Sequence, residues 1–216
     1  MNKIALVTGA TGLVGSHIVA ELTKNDDYQK IIVISRRKLS IDHPKLQVIL
    51  TDFEELQHVV LTDKIDECYC ALGTTQKKSG KTGMLKIDYS YVLKLTQLCI
   101  KLSIPKFLVV SSQGANANSM FFYMRTKGQM EVAVKKAGLS IAYIIRPSLI
   151  TGKREEKRFS ESMGYYLYKI LSPLMIGRFK KMRPVSALKI ARCMIALAQK
   201  DEPGVHVIES DLIQQY

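Results

Sequence analysis

Short apolar runs alternate with longer amphipathic stretches along most of this chain. The runs are rich in Ile, Val and Leu and have the length of buried strands, whereas the stretches between them repeat apolar positions at helical spacing. Strands that alternate with helices predict an α/β fold, a doubly wound parallel sheet with helices on both faces. The predicted strands are 3–8, 30–35, 46–50, 66–72, 106–111, 140–145 and 205–208, and the predicted helices are 13–24, 84–102, 121–137 and 186–199.

The alternation stops in residues 152–184, which we expect to form a small C-terminal cap on the substrate side of one domain that spans 1–216. Within it, residues 159–182 concentrate Met, Tyr and Leu between basic ends. The composition favours a short mobile lid with an apolar inner face. A cap packed on the sheet and an interfacial helix on anionic lipid are the alternatives.

The formal net charge of +13 is unusual for a chain whose hydrophobic content of 47% is ordinary. Such a charge favours anionic partners, which include nucleotides, anionic membrane surfaces and acidic proteins. Nucleic-acid binding is not favoured, since no recognition motif accompanies the basic runs. The histidines and the four cysteines lack metal-ligand spacing, and the cysteines suit reduced, buried thiols. With no apolar run long enough for a membrane span or a signal peptide, we expect a cytoplasmic protein.

A glycine-rich turn follows the first predicted strand and opens the first predicted helix. Gly9, Gly12 and Gly15 lie in the run TGATGLVG, where backbone N–H groups can approach a pyrophosphate at a helix N-terminus. The second strand ends in Arg36 and Arg37, where NAD-binding folds place an acidic residue for the ribose. Two guanidinium groups favour a 2′-phosphate, so the sequence predicts NADP(H) as cofactor.

A second group of candidate residues follows the fifth predicted strand. The strand ends in Ser111 and Ser112, and the next helix carries Tyr123 four residues before Lys127. Residues at this spacing share a helix face, and a nearby ammonium favours the phenolate form that proton transfer requires. On a surface helix the same pair is usually inert, but its place after a Ser-Ser strand end in a dinucleotide fold favours catalysis.

These motifs resemble the short-chain dehydrogenase/reductase superfamily, whose NAD(P)-binding domain is a Rossmann fold. The closer resemblance is to its atypical branch, which contains the human Tat-interacting-protein oxidoreductase. The resemblance extends almost to the C-terminus, through the segments SRRKL (35–39), DFEEL (52–56), ALGTT (71–75), VSSQGAN (110–116), YMRTKGQME (123–131), RPSLITG (146–152) and RPVSALKIAR (183–192).

The resemblance implies a role for each matching residue. Tyr123 would be the acid/base, Lys127 would bind the nicotinamide ribose, and Ser112, or else Ser111, would polarise the substrate oxygen. The cofactor would be held by Gly9, Thr11, Gly12, Leu13 and Val14 at the phosphates, Arg36 and Arg37 at the 2′-phosphate, Asp52 at the adenine, Leu72 and Gly73 under the ribose, Ile150 at the nicotinamide, and Arg158 at a cofactor phosphate.

The sequence therefore predicts an NADPH-dependent oxidoreductase that reduces a small or apolar carbonyl. A first alternative is a regulatory or scaffold protein that binds NADPH without turnover and acts through a protein partner. A second is an NAD(P)-dependent sugar epimerase or dehydratase, which the short stretch after Lys127 makes less attractive, because a small cap offers few contacts to a large polar substrate.

Overall fold

The computed structural model describes residues 2–152 and 183–216. Its centre is a seven-stranded, all-parallel sheet in the order β3-β2-β1-β4-β5-β6-β9. The predicted doubly wound fold is confirmed, and each predicted sheet strand is present to within two residues at either end. The strands are β1 (Lys3–Thr8), β2 (Tyr28–Ser35), β3 (Leu46–Leu50), β4 (Glu67–Cys70), β5 (Lys106–Val110), β6 (Ile141–Arg146) and β9 (Gly204–Glu209).

Alternate strand residues face two separate apolar layers, as the period of two in a strand requires. In β1, Ala5 and Val7 belong to one buried cluster, and Ile4 and Leu6 belong to the other. Helices cover both faces because each layer must be closed against water. The described helices are α1 (Leu13–Lys24), α2 (Gln76–Leu85), α3 (Tyr91–Lys101), α4 (Phe122–Lys136), α5 (Ala187–Ala198) and α6 (Ser210–Ile213).

The predicted helix over 84–102 differs most from the structure. It begins earlier, as α2, and α2 continues through a π-helical turn, Lys86–Ser90, into α3. Hydrophobic periodicity does not reveal a π turn, because one wide turn rotates the following face without interrupting the apolar pattern. The sequence analysis also missed a short 3₁₀ helix, Phe53–His58.

The predicted cap, 152–184, lies mostly outside the described residues. The residues that flank it are described, and they pair: β7 (Ile150–Thr151) lies parallel to β8 (Val185–Ser186) in a separate two-stranded sheet. The predictions for Arg158 and for residues 159–182 lie outside the described residues.

A buried ionic cluster closes the amino ends of the central strands. Lys3 Nζ lies 2.8 Å from one carboxylate oxygen of Glu67, and the phenols of Tyr28 and Tyr69 donate to the other oxygen at 2.5 and 2.6 Å. Burial, followed by the Glu67 charge, raises the pKa of both phenols. Both tyrosines therefore keep their protons and serve Glu67 as donors.

All four cysteines are buried free thiols, and burial raises the pKa of Cys70 to about 11. In residues 2–152 and 183–216, no group of His, Cys, Asp or Glu side chains could hold a metal ion. Within the same ranges, the helices are too short or too polar to cross a bilayer.

Candidate active site

The strand order creates a crevice between β1 and β4. From β1 the chain runs outward through β2 to β3 at the sheet edge and then returns to the other side of β1 as β4. Helices on either side of such a switch point leave opposite faces, so a crevice opens beyond the carboxyl ends of the two strands. The loops that follow β1 and β4, which begin at Gly9 and Ala71, form its floor.

The glycine-rich turn is packed so tightly that side chains are excluded. Gly9 has φ +78°, and a Cβ there would lie 2.4 Å from the Ala71 carbonyl oxygen. A Cβ on Gly15 would lie 2.1 Å from the Gly9 carbonyl oxygen. The first turn of α1 has no acidic residue, so its N-terminal dipole faces the crevice without a competing carboxylate. This cradle fits a dinucleotide pyrophosphate.

A groove continues from this turn toward the end of β2, and both predicted arginines line it. Arg37 Nη2 lies 3.4 Å from Thr11 Oγ1, which brings one guanidinium to the glycine-rich turn. Several lining residues were not predicted, because their side chains meet only when distant elements pack together. The groove is lined by Gly9, Thr11, Ile34, Ser35, Arg36, Arg37, Phe53, Leu72, Ile87 and Tyr91.

Asp52 lies next to this groove but has a local structural task. Its carboxylate caps the 3₁₀ helix by accepting a hydrogen bond from the Glu54 N–H at 3.1 Å. The following residue, Phe53, lines the groove, and its ring stacks on that of Tyr91 with centroids 5.3 Å apart. The two stacked rings give the groove an aromatic wall. The predicted adenine contact of Asp52 stays a prediction.

Lys127 is buried beneath the crevice against a carboxylate that the sequence analysis did not identify. Its Nζ lies 2.8 Å from Asp88 Oδ1 and donates to the Val110 carbonyl at 3.2 Å. Burial lowers the pKa of Lys127, but the charges of Asp88 and the Tyr123 phenol outweigh it, so its pKa is raised. Lys127 is therefore a cation held in place by β5 and Asp88.

The π-helical turn explains how Asp88 reaches this position. Asp88 lies at the middle of Lys86–Ser90, and its second oxygen accepts the Thr74 N–H at 2.9 Å. A Cβ on Gly73 would lie 3.4 Å from Asp88 Oδ1, so the loop after β4 passes directly over the ion pair. The predicted residues Leu72 and Gly73 thus connect the groove to Lys127.

Tyr123 and Lys127 share one face of α4, as predicted from their spacing, and Tyr123 is half-buried at its first turn. The helix lies unusually close to the loop that precedes it. A Cβ on Gly128 would lie 2.1 Å from the Asn116 carbonyl carbon, and Asn116 N–H donates to the Met124 carbonyl at 3.1 Å. These backbone contacts hold the tyrosine end of α4 against the loop that follows β5.

The two serines have different environments. Ser111 is buried and donates to Glu131 Oε1 at 2.6 Å, and Arg146 holds both oxygens of that carboxylate at 2.9 and 2.6 Å. The Ser112 hydroxyl is half-buried and makes one 3.3 Å contact, with the Gln113 carbonyl. Ser111 is committed to a structural network, which leaves Ser112 as the hydroxyl that can turn to a ligand.

The remaining predicted residues lie near the first turn of α1, at one side of the crevice. Val14 is buried in the core, so only its backbone can face a phosphate. Leu13 and Ile150 are partly buried against the same apolar cluster. A Cβ on Gly152 would lie 2.9 Å from Leu13 Cδ1, so the segment after β6 returns to the glycine-rich turn.

Comparisons with known proteins agree with this geometry. Residues 5–208 match the NAD dependent epimerase/dehydratase family. Protein HTATIP2 of Rattus norvegicus is 30% identical over 164 residues, which cover 74% of this chain and 68% of the relative. Protein fmp52 of Emericella nidulans is 34% identical over 174 residues, 77% of this chain and 74% of the relative. The resemblance to the HTATIP2 branch is thereby confirmed.

Solved structures with the same fold bind NAD. MoeE5 in complex with UDP-glucose and NAD has a TM-score of 0.69 at 18% identity, covering 97% of this chain and 79% of that chain. The Bordetella bronchiseptica enzyme WbmH in complex with NAD+ has a TM-score of 0.68 at 14% identity, covering 97% of this chain and 76% of that chain.

The comparisons overturn one expectation from the sequence. The fmp52 protein of Emericella nidulans and its counterparts in Aspergillus fumigatus, Scheffersomyces stipitis and Candida albicans are named mitochondrial. The expectation of a cytoplasmic protein was therefore wrong, since it relied on the lack of a signal peptide and of a membrane span. Neither of those features distinguishes the cytosol from a mitochondrion.

Proposed function

Because the chain belongs to the NAD dependent epimerase/dehydratase family, we propose that it is an NADP(H)-dependent oxidoreductase that acts on the carbonyl of a small or apolar substrate. One observation carries the proposal: Tyr123 and Lys127 share a face of α4, with Lys127 fixed as a buried cation beside the crevice that the glycine-rich turn lines. Bound there, a reduced nicotinamide would supply the hydride.

The residues of the chain would manage the proton. The Tyr123 phenol would donate it to the developing alkoxide, since it is half-exposed and shares a face of α4 with Lys127. The Lys127 ammonium would favour the phenolate that remains. The Ser112 hydroxyl would donate a hydrogen bond to the substrate oxygen, because Ser111 already serves Glu131.

The preference for NADP(H) depends on Arg36 and Arg37, both exposed along the groove. A charge-assisted phosphate contact contributes roughly 1.5–3 kcal/mol, about one to two decades in affinity. We expect Arg36→Ala/Arg37→Ala to weaken NADPH binding by about 10- to 100-fold and to leave NADH binding nearly unchanged. Calorimetry of both nucleotides on both proteins measures this, and equal affinities in the wild type would contradict the preference.

A second candidate function is an NADPH-binding regulatory protein without turnover. It is favoured by the Asp88 carboxylate 2.8 Å from Lys127, because this ion pair gives the buried lysine a structural task that needs no turnover. A carbonyl panel followed by NADPH absorbance separates the two functions. Tight NADPH binding with no consumption on aldehydes, ketones or quinones supports the regulatory protein and contradicts the reductase.

A separate assay, which follows the sugar product and not cofactor absorbance, tests sugar epimerisation. The solved neighbour MoeE5 was obtained with UDP-glucose and NAD, so UDP-sugars with NAD form one arm of the experiment. Interconversion of UDP-sugars, together with NAD affinity equal to that for NADPH, would replace the reductase proposal.

A further inference from the structure

Two consecutive apolar side chains project into solvent just before α4. Met120 is 94% exposed and Phe121 is 76% exposed. We call these two residues the apolar tip. Single exposed apolar residues are ordinary on a protein surface, but two adjacent large ones at such exposure indicate a contact site.

Cationic groups flank the apolar tip. Arg125 Nη1 donates to the Ser119 and Met120 carbonyls at 2.8 and 3.2 Å, which places the guanidinium at the base of the tip. Lys81, on α2, brings its Nζ to 5.9 Å from the centroid of the Phe122 ring. The Arg125 guanidinium is 5.7 Å from the same ring. The apolar side chains thus project beyond a basic collar.

No carboxylate on these two segments opposes the collar. Residues 71–87, which include α2, and residues 112–130, which include the apolar tip, contain no Asp or Glu. The first segment carries Lys77, Lys78, Lys81 and Lys86. Lys86 pairs with Glu54 at 2.7 Å, so the cations that form the collar beside the tip are Lys81 and Arg125. A cationic collar around a small apolar projection complements a flat anionic surface with an apolar interior.

We propose that the apolar tip and its basic collar dock the protein on an anionic lipid bilayer. A stable protein interface buries roughly 800 Å² on each partner, far more than two side chains provide. Docking on a bilayer requires a smaller contact area, because a few apolar side chains can enter the acyl boundary while nearby cations attract anionic headgroups. Phe121 lies two residues before Tyr123, so docking brings the candidate active site to the membrane surface.

The absence of tryptophan from the chain makes a direct test possible. Phe121→Trp introduces a single tryptophan at the apolar tip, which can be excited selectively over the ten tyrosines. Val60→Trp introduces one at an exposed apolar residue elsewhere, itself 81% exposed. With phosphatidylcholine vesicles that contain phosphatidylglycerol, we expect the emission of the Phe121→Trp protein to shift to the blue and to be quenched by brominated lipid. The Val60→Trp emission should stay unchanged.

Co-sedimentation with the same vesicles measures the contribution of each part. Met120→Ser/Phe121→Ser should lower the apparent affinity at least tenfold, and Lys81→Gln about fivefold, the effect of one cation at an anionic surface. Lys24→Gln, which removes an exposed cation at the far end of α1, is the matched control and should change little. Salt of about 0.5 M should weaken wild-type binding, because it screens surface charge.

Several outcomes would overturn the proposal. These are equal binding to neutral and anionic vesicles, an unshifted Phe121→Trp spectrum with anionic vesicles, or a Lys24→Gln effect as large as that of Lys81→Gln. A blue shift that depends on protein concentration and needs no vesicles would instead assign the tip to self-association. None of these measurements depends on NADPH or on turnover, so the oxidoreductase proposal can fail independently.

Discussion

The two ends of the central sheet each bury charged groups, and the two clusters differ in how completely those groups are satisfied. At the amino ends, Glu67 receives three donors, from Lys3, Tyr28 and Tyr69. At the carboxyl ends, Lys127 is held by Asp88 and by the Val110 carbonyl. The first cluster joins neighbouring strands of one sheet, whereas the second joins the π-helical turn to α4 and to the end of β5.

The difference suits the Glu67 cluster to stabilising the fold and the Lys127 cluster to contacting a ligand. The partners of Glu67 all lie on strands, so the register of the sheet fixes their positions. The Lys127 cluster depends on a π-helical turn and on loops after β4 and β5, which can present groups to a ligand. The cluster at the carboxyl ends also lies next to the groove of the glycine-rich turn, since Leu72 and Ile87 line that groove.

Replacing one tyrosine at each end of the sheet by phenylalanine should give the largest contrast, in turnover and in stability. We expect Tyr123→Phe to lower turnover by roughly 10²- to 10⁴-fold, the usual contribution of a positioned acid, with NADPH affinity unchanged. Tyr28→Phe should leave turnover within about twofold and lower stability by roughly 1.5–3 kcal/mol, the contribution of a hydrogen bond to a charged group. Steady-state kinetics and urea unfolding measure the two effects, and equal turnover of Tyr123→Phe and wild type would disprove the catalytic assignment.

Removing one carboxylate charge at each end should give a smaller contrast, in stability. Asp88→Asn removes the counter-charge of the Lys127 ammonium, whose side chain is only 4% exposed. We expect this to lower the free energy of unfolding by about 3 kcal/mol. Glu67→Gln should cost less, roughly 1–2 kcal/mol, since the Lys3 side chain is 15% exposed and can reach water.

Urea unfolding followed by circular dichroism measures both costs. The double variant Asp88→Asn/Lys127→Met serves as the control and should recover much of the loss, because an apolar replacement of both partners removes the stranded charge. If Asp88→Asn and Glu67→Gln lose equal stability, the proposed difference in satisfaction between the two clusters is wrong.

The smallest expected effect is on alkaline stability. The pKa values of Tyr28 and Tyr69 are raised, chiefly by burial. The folded protein therefore keeps protons that the unfolded chain loses near pH 10, the ordinary phenol pKa. This stability is complete below pH 10 and is lost as pH rises further, by up to about 1.4 kcal/mol per pH unit for each phenol.

Tyr28→Phe removes one of the two phenols, so its unfolding free energy should fall less steeply between pH 10 and 11 than that of the wild type. Tyr123→Phe is the control, since its half-exposed phenol lies outside the Glu67 cluster. Identical slopes for Tyr28→Phe and wild type would show that the Glu67 cluster does not couple phenol protonation to folding.

The sheet was predictable from sequence because its strands are continuous apolar runs. Residues 31–34, Ile-Ile-Val-Ile, can form little else than a strand covered on both faces, and the glycine-rich turn indicates which strand ends face a nucleotide. Tyr123 and Lys127 were predictable for a similar local reason, since a spacing of four within one helix fixes a shared face.

Long-range partners were not predictable in this way. Asp88 lies 39 residues before Lys127 and inside an otherwise apolar helical pattern, where a single carboxylate reads as a surface residue. Spacing also did not distinguish Ser111 from Ser112, because the choice depends on Glu131, one turn beyond Lys127 on α4. One signal in the sequence could have pointed to Glu131. The apolar strand β6 ends in Arg146, and a cation at the end of a buried strand requires a carboxylate partner.

The short parallel pair of Ile150–Thr151 with Val185–Ser186 has a consequence for how proteins with this fold diversify. It brings together the two points where residues 152–184 leave and rejoin the described chain. Evolution can therefore lengthen, shorten or exchange that stretch as a cassette without re-registering any strand of the main sheet. A change confined to the cassette would leave the nucleotide-binding framework constant, and chimaeras of relatives joined at this pair would test whether the cassette decides the substrate.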